Sequence, residues 1–83
     1  MAKAPHPADA FEADVIANAV TWTAFQMRGP TDRHKTNHDT REEAEEAGRA
    51  FVEEHPVRPA MIYAVNAAGR QALAGLIHPK KGA

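Results

Sequence analysis

Apolar and polar positions recur with two different periods along this chain, and the changes of period mark its elements. From Thr40 to His55, Ala44, Ala47, Gly48, Phe51, Val52 and His55 return at intervals of three or four residues. That spacing predicts an amphipathic helix with one buried stripe. Thr40 and Glu43 have the Thr-x-x-Glu spacing of a capping box at its start. Pro56 ends it, because proline lacks an amide hydrogen and its ring clashes with a continuing turn. Val20–Arg28, Ala60–Asn66 and Gln71–Ile77 are instead rich in β-branched, aromatic and aliphatic residues over short runs, and read as strands. Gly29-Pro30 closes the first strand, and the polar stretch Thr31–Asp39 reads as a loop. Asn66-Ala67-Ala68-Gly69-Arg70 joins the last two strands as a short hairpin loop, with Gly69 free to take a positive φ.

The N-terminal part gives two readings. Phe11, Val15 and Ala19, with Ile16 beside them, align on a helix over Asp9–Ala19; the same stretch also reads as an early strand. The expected architecture is α+β in a single small domain: an N-terminal helix, then β-α-β-β. Its sheet is three-stranded and largely antiparallel, with the long amphipathic helix packed on one face. A strand–helix–strand crossover is expected to be right-handed. Residues 1–7 and the basic residues 79–83 are expected to be flexible tails around a domain of residues 8–78.

Neither sheet face reads as polar. Phe25 and Met27 oppose Val20, Trp22 and Ala24 on the first strand, and Met61, Tyr63 and Val65 oppose Ala60, Ile62 and Ala64 on the second. A sheet with one wet face alternates more sharply than this. The N-terminal helix, a second copy or a target protein is therefore expected to cover the second face.

Composition narrows the function. The chain has 83 residues, net charge −1, and neither cysteine nor serine. Missing cysteine removes disulfides and thiolate metal sites, and missing serine removes another common nucleophile. There is no Gly-rich phosphate loop, no apolar run of membrane-spanning length, and no signal-peptide core in the first residues. The expectation is a cytoplasmic, non-catalytic protein that needs no cofactor. His34 and His38, with Asp32 and Asp39, are the only metal-like grouping, and a polar loop gives their four-residue spacing little meaning.

Charge supplies the remaining candidates. Seven of the eleven acidic residues lie between Asp39 and Glu54. Glu45–Arg49 and Arg49–Glu53 can pair at i,i+4, as on any solvated helix. Glu42, Glu46 and Glu53, with Asp39 and Glu43 beside them, form a net-negative surface suited to a Lys/Arg-lined channel on another protein. Trp22 or Tyr63 would be its aromatic anchor if exposed. The alternative is a nucleic-acid-binding or regulatory domain that uses Arg28, Arg33 and Lys35, with Lys80-Lys81 adding charge. A homodimer that buries the second sheet face is a third reading.

The segments Trp22-Thr-Ala-Phe, Thr40-Arg-Glu-Glu-Ala, Ile62-Tyr63 and Asn66-Ala-Ala-Gly69-Arg70 resemble those of small bacterial and phage strand–helix–hairpin domains of uncharacterised function. By size, composition and acidic helix the chain also looks like a phage anti-CRISPR protein. That is a likeness of type with no shared motif, so it assigns no residue a contact. It implies an inhibitor that binds a CRISPR effector complex, of the Cascade type for instance, and blocks its nucleic-acid channel.

Overall fold

The computed structural model describes residues 7–79. Six elements follow one another: α1 (Pro7–Ala17), β1 (Ala19–Met27), β2 (Arg33–His38), α2 (Arg41–Glu54), β3 (Ala60–Asn66) and β4 (Gln71–Ile77). The strands form one sheet in the order β2-β1-β3-β4, and every neighbouring pair is antiparallel.

Most elements lie within a residue or two of their expected bounds, for the anticipated reasons. Thr40 is the N-cap of α2, its Oγ1 accepting the Glu43 amide at 3.2 Å. Only this half of the capping box forms; no bond from the Thr40 amide back to the Glu43 side chain is present. His55 caps the other end and donates its amide to Phe51 O. At the β3–β4 turn Gly69 has φ +83°. Asn66 Oδ1 holds that turn by accepting the amides of Ala68 and Arg70. The N-terminal alternative resolves to a helix, ended by Asn18, whose amide and side chain both bond Asp14.

The strand count is corrected. The sheet has four strands, because Arg33–His38 pairs with β1 instead of forming a loop. This segment (Arg-His-Lys-Thr-Asn-His) has no apolar residue, so no side-chain alternation announces it. It is an edge strand held through its backbone, and lysine and other polar residues are what protect such edges from further pairing. The added hairpin reverses the chain, so β1 and β3 are antiparallel neighbours and the crossover rule does not apply to them. Both helices were expected; among the described residues α1 packs on β3 and β4, and α2 lies across all four strands.

The core beneath α2 is thin. Ala24, Ala44 and Ile62 form its centre, with Trp22, Ala47, Phe51 and Ile77 packed around them. Gly48 permits the close approach: a Cβ there would stand 2.7 Å from Ile77 Cδ1 and 3.2 Å from Ile62 Cδ1.

Candidate interaction surfaces

The stripe Ala44, Gly48 and Val52 turns inward, which directs the acidic residues of α2 outward. Asp39, Glu42, Glu43, Glu46 and Glu53 are all exposed. Asp39, Glu43 and Glu46 come together with Asn37, His38, Ala47 and Ala50 around a shallow, open depression of about 460 Å³. Glu42 and Glu53 lie outside it. The ion pairs of α2 involve different glutamates. Arg41 Nε holds Glu45 at 3.2 Å, in place of the expected Glu45–Arg49 and Arg49–Glu53 pairs, and Arg28 holds Glu54 at 3.3 Å. None of the five outward carboxylates joins an ion pair among the described residues.

Trp22 and Tyr63 separate. Even positions of β1 face α2, so Trp22 packs against the core and its ring lies under the Arg41 guanidinium, 5.5 Å from the centroid. It is therefore not the exposed anchor that the sequence allowed. Tyr63 occupies the opposite face. Its ring meets Phe25 edge-on at 6.4 Å, and its hydroxyl donates to Met61 Sδ at 3.4 Å.

The basic candidates separate too. Arg28 is committed internally. Its Nε donates to Gln26 Oε1 at 2.6 Å, its Nη2 reaches Phe51 O and Glu54, and its guanidinium lies over the Phe51 ring. Arg33 and Lys35 are exposed on β2, in register with Met27 and Phe25.

The histidines of β2 are set apart by strand geometry. Four residues of extended chain span roughly 13 Å, too far for His34 and His38 to share an ion. His34 instead pairs with Asp32 at 3.1 Å, and His38 Nε2 lies 2.7 Å from Thr36 Oγ1 in a hydrogen bond. No group of three or more His, Asp or Glu side chains gathers as a metal site among the described residues. No helix among them is long and apolar enough to cross a membrane.

The register defines a second surface, on the sheet face away from α2. Lys35, Phe25, Met61 and Leu76 form one cross-strand row, and Asn37, Thr23, Tyr63 and Leu73 form another. The Thr23 hydroxyl donates to Asn37 Oδ1 at 2.8 Å along the second row. Met27, Leu73 and Leu76 are 37%, 43% and 48% exposed, so α1 does not cover this face. The sequence signalled the surface through its missing polar alternation. It did not signal Leu73 and Leu76, because a bulge between Ile62 and Tyr63 alters the facing of β4.

Comparison of the chain with known protein families, characterised proteins and solved structures finds no match.

Proposed function

We propose that this is a small non-catalytic binding protein whose contact surface is the outer side of α2, and that its partner is a protein with a cationic groove. One observation carries the reading: five exposed carboxylates, Asp39, Glu42, Glu43, Glu46 and Glu53, none of them in an ion pair among the described residues. Glu45 and Glu54 are held by arginines, so the carboxylates outside ion pairs lie on the outer side of α2, with exposed Arg49 among them, and at Asp39 just before its N-cap. An array of this kind steers and orients docking onto a surface lined by Lys and Arg. Its most concrete form is inhibition of the anti-CRISPR type, in which the acidic helix occupies the nucleic-acid channel of a Cascade-type effector complex.

The nucleic-acid alternative is weakened because one of its three cations, Arg28, is spent on Gln26, Phe51 and Glu54. Arg33 and Lys35 remain, on a chain of net charge −1.

The test is target-DNA binding by purified Cascade-type complexes in the presence of the wild-type chain or its E42K/E46K/E53K variant. The proposal expects the wild type to suppress DNA binding in at least one complex, and the variant to lose that effect while unfolding within a few degrees of wild type. Equal suppression by both proteins would overturn the acidic-face assignment. No suppression in any complex would overturn the anti-CRISPR form of it.

A further inference from the structure

We propose that the sheet face turned away from α2 is the interface of a homodimer, in which two sheets pack face to face and both acidic helices point outward. The first observation is where the large side chains sit. Among the described residues eight hydrophobic ones are buried, five of them alanine (Ala24, Ala44, Ala60, Ala64 and Ala72), and the larger Trp22, Phe51 and Ile77 are only partly buried against that core. Phe25, Met27, Met61, Tyr63, Leu73 and Leu76, which would release most free energy on burial, remain half-buried or exposed on the other face. Whatever covers such a face contributes a large share of the fold's stability. A second copy is the occupant that is present whenever the chain folds.

Area and charge agree with that occupant. Four strands about 4.8 Å apart and seven residues long at about 3.3 Å per residue give a flat footprint of roughly 400 Å². Side-chain relief adds to this flat figure, and the interface falls at the small end of the range in which each partner of a standard interface buries ~800 Å². No strand carries an acidic residue, and the only Lys and Arg on the four strands are Arg33 and Lys35, both on edge strand β2. A twofold axis parallel to the strands lays β2 over the partner's β4 and β1 over the partner's β3. Within the first row Lys35 then covers a leucine, its apolar stem on the side chain and its ammonium at the rim. Phe25 likewise meets a methionine of the other copy. The cations of the two copies lie at opposite edges, so like charges do not face each other. Two cations on a chain of net charge −1 make a poor track for a phosphate backbone.

Sedimentation velocity from about 1 to 100 µM tests the proposal on the wild type and on L73K and L76K. These leucines are 43% and 48% exposed in the protomer, so a lysine there keeps its stem on the sheet and its ammonium in water. The wild type should sediment as a dimer, and each variant should weaken association at least about thirtyfold. A second measurement does not depend on those variants. Lys35 and Leu76 lie at opposite edges of one row, three strand spacings or about 14 Å apart. A disulfide spans neither that distance nor the ~10 Å between two packed sheets, whereas a short cross-linker that joins two chains doubles the mass. A short bismaleimide, which reaches across the ~10 Å between packed sheets, should therefore join K35C/L76C chains into a covalent dimer. A monomeric wild type at 100 µM, unchanged association in both leucine variants, no covalent dimer, or a complex that nuclease converts to monomer would each overturn the proposal.

Discussion

Gln26 shows how one buried amide can organise three segments. It has no exposure to solvent, and all of its polar capacity is directed within the chain. Its Nε2 donates to His55 O at 3.1 Å and Arg58 O at 2.9 Å, fixing the connection that follows α2 onto β1. Its Oε1 accepts from Arg28 Nε, which aligns that guanidinium over Phe51. Q26L keeps most of the volume but leaves both carbonyls and the arginine without this partner. Urea unfolding should show a loss of about 1–3 kcal/mol, and a loss under about 0.5 would mean that water replaces the amide at little cost. Thr40 acts more locally. T40A removes the acceptor for the Glu43 amide and should cost about 1 kcal/mol by the same assay. An unchanged midpoint would show that water serves that helix end equally well.

Among the elements, α2 carries both the core and the charge, and Gly48 sets its distance from the sheet. Alanine at Gly48 gains about 1 kcal/mol of helix propensity. It also places a methyl against Ile77 Cδ1, which can swing because Ile77 is half-buried, and against Ile62 Cδ1, which cannot because Ile62 is fully buried. The two effects are of similar size, so G48A should leave stability within about 1 kcal/mol of wild type, whereas G48L should lose about 2–3 kcal/mol or more by overpacking. A G48L protein as stable as wild type, measured by urea unfolding, would show that α2 does not sit this close. The same element explains what the sequence could reveal. Periodicity, cap and proline stop all agreed on α2, and compact apolar runs marked β1, β3 and β4. Strand β2 stayed hidden because an edge strand is specified by backbone pairing, and Thr36, Asn37 and their neighbours carry no facing signal. The candidate acidic residues were legible because exposure follows from helical phase. The fates of Trp22 and Arg28 were not, because each depends on a tertiary partner: Arg41 for the first, Gln26, Phe51 and Glu54 for the second.

On the scale of the whole molecule, the sheet separates two kinds of surface. Beyond α2 lie unneutralised carboxylates; on the other side lies a broad apolar face edged by Arg33 and Lys35. On the proposals made above the first serves a partner and the second a copy of the same chain, with a thin core beneath α2 leaving part of the stability to association. Stability that depends on association also depends on concentration, since unfolding of a dimer releases two chains. The most direct measurement is the thermal midpoint of the wild-type protein across a hundredfold range of concentration. For a dimer the midpoint rises with concentration, by roughly 5–10 °C over that range for chains of this size. A midpoint independent of concentration would mean that the monomer is the stable unit and the apolar face has no copy upon it.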